Sequence, residues 1–294
     1  MKIIVTLPAY NEEKSIGKII ERIHSVMKSK KYDYEVCVLD DGSTDNTSQV
    51  AKKAGAKVYK HYRRFGLSRT FMDEMKICLQ EGADVIVHLD SDGQHPPEYI
   101  PQLIDEIKAG SHLVIASRFK NKKVKMLFIK KIGNKLFSRV ISGVTKINLT
   151  DTQSGFRAFV KDVAQIKIRG DYTYTQEQIL KAAESNFKIT EIPFEVSERE
   201  YGKSRLMKNP FDFAIRAFIN LIRIYRDFEP LKFFAGIGAI LFSLGLILGV
   251  FILVQLILYK DVTIPRVILS MLLMTMGLQS IFFGFLAEMS NKGD

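Results

Sequence analysis

The chain has 294 residues, 47% of them apolar, so it can hold one large domain or an ordinary one with an appendage. Its net charge of +11 calls for an anionic partner, and no long Lys/Arg block alternates with aromatics as a nucleic-acid surface requires. Cys37 and Cys78 lack metal or redox spacing and read as buried, reduced thiols.

Lys2 to Leu7 reads as a first strand, followed by the loop PAYNEE. The helix after it carries Ile16, Ile19, Ile20, Ile23, Val26 and Met27 as one stripe. A second strand, Glu35 to Leu39, runs into DDGSTDNT, where Ser43 or Thr44 is placed to cap a helix with Val50, Ala51 and Ala54 on its apolar side. The short strand AKVYK opens into HYRRFGLSR and a helix with Phe71, Met75, Cys78 and Leu79.

Next comes Asp84 to Tyr99, DVIVHLDSDGQHPPEY. Val85 to Leu89 has the composition of a buried parallel strand, interrupted only by His88. It ends in Asp90, Ser91 and Asp92. Two carboxylates separated by one residue at a strand's carboxyl end can both reach one hard cation such as Mg²⁺ or Mn²⁺, which completes its shell with substrate phosphates. Gly93 turns the backbone, Gln94 lies in the same neighbourhood, and His95 reads as structural. Pro96 and Pro97 suit the first turn of a helix whose core side is Ile100, Leu103, Ile104 and Ile107.

This alternation predicts an α/β domain with a mainly parallel sheet. Ligands of such sheets sit at strand carboxyl ends, where PAYNEE, DDGSTDNT and DSDGQH all fall. Ordinary turn chemistry accounts for any one of these loops, whereas the three together point to one cleft. Arg118 follows a further strand, VIAS, and Lys120 to Lys135 is strongly basic. After the strand KITEIPFEV comes the polar, basic SEREYGKSRLMKNP.

Phe211, Ile215, Phe218, Ile222 and Tyr225 then recur at helical spacing opposite Arg216, Asn220, Arg223 and Asp227. That pattern fits a helix in the membrane interface or one packed on the catalytic domain. Phe233–Tyr259 and Val267–Leu286 are each long enough to span a bilayer, and the short KDVTIPR between them predicts an antiparallel hairpin. Arg216, Arg223, Arg226, Lys232 and Lys292 outweigh Lys260 and Arg266, which predicts both termini in the cytosol. Met1 leads straight into a strand, with no signal peptide, so the catalytic part is expected in the cytosol as well. The expected division is 1–206 catalytic domain, 207–230 interfacial helix and 231–294 transmembrane hairpin.

The series PAYNEE, DDGSTDNT, DSDGQHPPE, SRF at Ser117–Phe119 and DTQSGFRAF at Asp151–Phe159 resembles glycosyltransferase family two. Its polyprenyl-phosphate branch, of the dolichyl-phosphate mannose synthase type, is the nearest resemblance. It covers Lys2 to about Arg205 in order. The resemblance implies the type A, Rossmann-like glycosyltransferase fold and inverting transfer of one sugar from a nucleotide-sugar donor. The implied acceptor is dolichyl or another polyprenyl phosphate at a membrane. Pro8, Tyr10, Glu12 and Asp40 would hold the nucleoside, with Asp41 nearby. Arg63, Arg64, Asp90, Ser91 and Arg205 would complete the donor side. Asp90, Asp92 and Gln94 would carry Mg²⁺ or Mn²⁺ and the diphosphate. Asp92, Arg118 and Glu177 are the implied catalytic groups, Glu177 being the base when the acceptor is a hydroxyl. Arg118, Lys131, Ser154, Arg157, Lys203 and Arg205 would meet the acceptor phosphate, in a motif that includes Asp151 and Gly155, with Arg157 reading equally as a plain salt-bridge partner. Arg199, Lys203, Ser204 and Arg205 would lie on a loop closing over the site. Ser68 and Gly93 depart from the mannose synthase pattern, and the resemblance leans to UDP-linked N-acetylglucosamine or glucose ahead of GDP-mannose. A hydroxyl acceptor in polysaccharide or glycolipid synthesis is the alternative. For a polysaccharide synthase the chain lacks tryptophan, hence a QxxRW motif, and has few spans. A non-enzymatic, basic membrane-surface protein that uses the same fold to hold an anionic ligand is a third. Self-association is left open.

Overall fold

The computed structural model describes residues 1–120, 128–168, 173–197, 210–259 and 263–291, with backbone alone at 128–132, 210–217 and 291. The chain divides into two compact units, Met1–Ala214 and Ile215–Asp294. The boundary expected at residue 206 falls outside the described residues.

The first unit is built on a seven-stranded sheet in the order β3-β2-β1-β4-β6-β5-β7. The strands are β1 Ile3–Ala9, β2 Tyr34–Asp40, β3 Lys57–Lys60, β4 Val85–His88, β5 Leu113–Ser117, β6 Arg157–Val160 and β7 Ile189–Pro193. β6 alone runs against the rest, pairing antiparallel with both β4 and β5. The consequence is local and decisive. Six strands bring their carboxyl ends to one edge of the sheet, and β6 brings its amino end there, with His88 opposite Arg157. The segment Asp151–Phe156 therefore enters the sheet beside the loop that leaves β4.

β1 is longer than its sequence indicates, so Pro8 lies within it rather than in the loop. Proline is tolerated there because the ladder to β4 ends at Thr6 and nothing on that side calls for its missing N–H. Helices α1 (Ile16–Ser29), α2 (Thr47–Lys53), α3 (Leu67–Gln80) and α4 (Ile100–Lys108) connect the parallel strands. α1 buries Ile16, Ile19, Ile20, Ile23 and Met27, and α4 buries its four expected isoleucines and leucine positions, in one continuous core with Val5, Val38 and Val87. Two expected helix starts shift. α2 begins at Thr47, because Ser43 and Thr44 hydrogen-bond to Asn11 across the cleft instead of capping. Pro97 opens a 3-10 turn ahead of α4. Helices α5 (Phe128–Thr145), α6 (Lys161–Ala164) and α7 (Tyr174–Glu184) complete the unit, and α8 (Pro210–Phe228) crosses the boundary between the two.

In the second unit Phe218, Ile222 and Tyr225 of α8 are exposed, while Leu221 and Ile224 are buried. Helices α9 (Pro230–Tyr259) and α10 (Ile264–Asn291) pack closely on each other, and both are long and apolar enough to cross a membrane. Glycine permits the approach: a Cβ at Gly277 would lie 2.6 Å from the Phe242 nitrogen and 2.7 Å from the Gly238 oxygen. Ser270 and Ser280 donate to the backbone oxygens of Gly245 and Phe234 at 2.8 and 2.9 Å. Outward-facing Ile247, Ile257 and Leu286 are 65–69% exposed, a surface suited to lipid.

Candidate active site

The loop leaving β4 is held by short-range polar contacts that leave its carboxylates at the surface. Asp92 Oδ1 accepts the Gln94 N–H at 3.0 Å. The Asp90 N–H donates to His95 Nδ1 at 3.1 Å, and the His95 ring is buried and stacked on Phe156, which makes it a structural prop. Ser91 donates to the Pro8 oxygen at 2.8 Å, and Ser15 donates to the Ser91 oxygen at 2.9 Å. The loops after β1 and β4 are thus tied together where strand order reverses. Asp90 keeps 39% of its side chain exposed. Among the described residues no group of three or more His, Cys, Asp or Glu gathers as a metal cage. Two accessible carboxylates nevertheless fit a hard divalent cation, which takes one or two carboxylates and fills its shell with phosphate oxygens and water. The Ser197 N–H donates to the Gln94 oxygen at 3.1 Å, so the chain approaches this loop just before residues 198–209.

Of the residues expected to hold the donor, Tyr10 and Arg64 meet across two loops, whereas Arg63 lies over the Tyr62 and Phe65 rings and Glu12 accepts from Ser15. The Arg64 guanidinium lies 4.4 Å above the Tyr10 ring. Asp40 is wholly buried and accepts from the Ser43 N–H at 2.7 Å and from the Ser48 hydroxyl. Asp41 accepts three N–H groups of the loop after β3, from His61, Phe65 and Gly66. The paired aspartates of DDG therefore fix the loops after β2 and β3 from beneath.

After β5, Arg118 forms a two-point pair with the wholly buried Asp151, with Nε–Oδ2 at 2.6 Å and Nη2–Oδ1 at 2.8 Å. Burial works against the charge on Arg118, but the hydrogen bond and field of Asp151, with Asp90 beyond, outweigh it and raise its pKa. Glu191 of β7 fixes the same loop by accepting from the Thr150 and Asp151 N–H groups at 2.9 Å each. Ser154 is buried, and Gly155 lies against Asp90, whose Oδ1 would be 3.3 Å from a Cβ there. Arg157 is wholly buried, and its guanidinium donates to the Ser154 oxygen, the Thr175 oxygen and Gln178 Oε1, so it ties β6 to α7. Burial lowers its pKa to about 10. Glu177 is also buried in the first turn of α7, 2.7 Å from Lys181 Nζ. The Lys131 side chain and Arg199, Lys203, Ser204 and Arg205 lie outside the described residues.

Close to Asp90 is a buried polar cluster of Glu74, His88 and Tyr174 that the sequence signals only through His88. Glu74 is 1% exposed and accepts from Thr6 Oγ1 at 2.8 Å, while its second oxygen has no hydrogen-bond partner. His88 Nε2 lies 3.9 Å from it, and the Tyr174 hydroxyl 3.4 Å from the same nitrogen. Desolvation raises the Glu74 pKa well above 4.5, only partly opposed by Thr6. A raised folded-state pKa means that Glu74 contributes fully below the unfolded value of 4.5, and that this contribution is lost as pH rises toward the folded value. Glu74→Gln is therefore expected to match wild-type stability near pH 4 and to exceed it by a growing margin toward pH 8, at roughly 2–4 °C of Tm per kcal/mol. Thermal melts of the two proteins across that range check this, and parallel curves would refute it.

Residues 4–166 match the family described as glycosyl transferase family 2. The chain is 31% identical to a dolichol-phosphate mannosyltransferase of Pyrococcus furiosus, over 92% of this chain and 78% of that protein. It is also 31% identical to a UDP-N-acetylglucosamine–dolichyl-phosphate N-acetylglucosaminyltransferase of Methanococcus voltae, over 69% of this chain and 88% of the relative. Among solved structures, glucosyl-3-phosphoglycerate synthase from Mycobacterium tuberculosis, in complex with Mn²⁺, UDP and phosphoglyceric acid, superimposes with a TM-score of 0.57. It is 20% identical, over 76% of this chain and 77% of that one, and shows the likeness of fold. A family match over more than half of the chain, on a type A glycosyltransferase fold with its loops gathered at one sheet edge, establishes that this chain belongs to glycosyl transferase family 2.

Proposed function

We propose that the protein transfers a single sugar, with inversion, from a nucleotide-sugar donor to a polyprenyl phosphate at a membrane. The observation that carries this reading is the meeting of the Asp90–Asp92 loop with the segment Asp151–Arg157, which the antiparallel β6 brings to the same edge. Relatives named dolichol-phosphate mannosyltransferase and UDP-N-acetylglucosamine–dolichyl-phosphate N-acetylglucosaminyltransferase support it.

Asp90 and Asp92 would hold Mg²⁺ or Mn²⁺, with Gln94 orienting Asp92 through its backbone N–H. When bound, the ion offsets charge gathering on the departing nucleoside diphosphate. Tyr10, Glu12, Arg63 and Arg64 form the donor wall, with Arg64 held against Tyr10. Arg118, kept cationic by Asp151, faces the acceptor phosphate, which needs cationic positioning rather than a base because it is already anionic at neutral pH. A phosphate oxygen forms the new bond to the anomeric carbon from one side while the bond to the nucleoside diphosphate breaks on the other. Glu177, buried beside Lys181, is then an orienting group. The apolar hairpin keeps the catalytic unit at the bilayer where such an acceptor resides, and the distribution of basic residues favours cytosolic termini. UDP-linked N-acetylglucosamine or glucose remains the preferred donor, ahead of GDP-mannose.

The test uses purified full-length protein in detergent, a panel of UDP- and GDP-sugars, dolichyl phosphate and Mn²⁺ or Mg²⁺. Transfer from one donor, abolished by chelator and restored by metal, is the expected result. Metal-dependent donor binding with no transfer to lipid phosphate would overturn the acceptor and direct attention to hydroxyl acceptors, with Glu177 as the base.

A further inference from the structure

We propose that Asp41, His61 and Asp73 form a latch that fixes the Arg63–Arg64 loop at the donor end of the cleft, which makes them positioning residues for donor binding. The inference rests on the donor-site reading above. Three separate features converge on the loop between β3 and α3.

The first is hydrogen bonding. Asp41 Oδ1 accepts the His61 Nδ1–H at 2.9 Å and the Phe65 N–H at 2.8 Å, and Oδ2 accepts the Gly66 N–H at 2.8 Å. A carboxylate only accepts, so the proton on this side of the imidazole is on Nδ1. The other ring nitrogen, Nε2, lies 3.4 Å from Asp73 Oδ2, and Asp73 is itself held by Arg69 at 2.8 Å and Lys76 at 3.3 Å. The Asp41 side chain is only 7% exposed, so these bonds form out of water, where charge-assisted bonds count for most. Burial pushes the Asp41 carboxyl up, yet the bonds from His61, Phe65 and Gly66 together leave its pKa below the usual value.

The second feature is steric. Gly42 has φ +75°, and a Cβ there would fall 2.5 Å from the Arg63 carbonyl carbon and 2.8 Å from the Arg64 nitrogen. The loop backbone rests directly on the DDG turn, so Asp41 and Gly42 grip adjacent parts of it. The third is the pair of ring contacts that set its side chains: Phe65 stands edge-on to His61 at 5.0 Å, and Arg64 covers Tyr10 at 4.4 Å. Tyr10 and Arg64 belong to the donor wall. Loosening the latch therefore alters that wall without touching Asp90 or Asp92.

Arg63 and Arg64 give the experiment a readout independent of catalysis, since trypsin cuts after arginine only where the backbone can unfold locally. Asp41→Asn, His61→Ala and the milder Asp73→Asn would be compared with wild type and with Lys53→Ala, an exposed residue at the end of α2, as a control. Full-length protein in detergent is used, scoring cleavage after Arg63 or Arg64 by mass spectrometry. The donor KM and kcat are measured in parallel, and melts record the fold. The expected result is cleavage about tenfold faster or more in Asp41→Asn and His61→Ala, intermediate in Asp73→Asn and unchanged in the control. Donor KM should rise by a similar factor while kcat changes less than about threefold. Unchanged cleavage in a folded Asp73→Asn and His61→Ala overturns the latch. Faster cleavage with an unchanged donor KM overturns the positioning role. If wild type transfers no sugar and binds no nucleotide, the donor-site reading fails and the positioning role falls with it, while the cleavage rates still decide the latch.

Discussion

Asp92→Asn is expected to lower sugar transfer by about two to three orders of magnitude, the usual cost of removing one group that stabilises charge on a leaving atom. The fold should survive. Asp92 is half-buried at a loop tip, and an asparagine Oδ1 accepts the Gln94 N–H as the carboxylate does. What asparagine lacks is negative charge toward a cation. The apparent affinity for Mn²⁺ should therefore fall together with the rate, while the melting temperature in the absence of metal stays within a degree or two of wild type. Steady-state transfer at several Mn²⁺ concentrations, with melts alongside, separates the two effects. Wild-type transfer by this variant would remove the carboxylate pair from the mechanism.

Arg118→Ala should be strongly destabilising to the catalytic unit. It leaves the carboxylate of Asp151 wholly buried with no cationic partner, a situation that costs about 3–5 kcal/mol, or roughly 10 °C of Tm. Arg118→Lys keeps the charge and loses the two-point geometry, so it should retain most of the stability and much less of the activity. Adding Asp151→Asn to Arg118→Ala should recover part of the lost stability, because no buried charge is then left uncompensated. That recovery is the informative measurement. A double variant no more stable than Arg118→Ala would mean that the pair does not carry the local energy.

The parts of this molecule that are legible in sequence are those whose logic is short-range. Asp90 and Asp92 are separated by one residue in a stretch that reads as strand, turn and helix start, so their residues announce the loop, although its ties to Pro8, Ser15 and Phe156 come from the fold. The helix stripes of α1 and α4 are legible for the same reason, since periodicity alone selects their buried faces. Groups whose meaning depends on distant partners read less well. Arg157 reads equally as an anion ligand or an ion-pair partner in DTQSGFRAF, and its hydrogen bond to Gln178, 21 residues on, is invisible in the local motif. Glu191 reads as an ordinary strand residue, although it holds a loop 41 residues earlier. Asp41 sits in a polar turn that suits nucleoside binding, and only the fold brings His61, Phe65 and Gly66 onto it. His88 is the one long-range feature with a visible sign: a histidine in an otherwise apolar strand implies a buried polar partner, and Glu74 is there.

The order of the elements also sets the order in which this protein can be made. The last strand of the sheet ends at Pro193 and the first apolar helix begins at Pro230. At ordinary translation rates of about 5–20 residues per second, those intervening residues take roughly 2–7 s to synthesise. Mixed α/β domains commonly close faster than that. The sheet, including β6, which must insert between two strands already made, can therefore assemble before the hairpin has left the ribosome. A nascent chain of this design presents the insertion machinery with a folded domain followed by a hydrophobic hairpin, rather than with a long unfolded segment competing for the same chaperones.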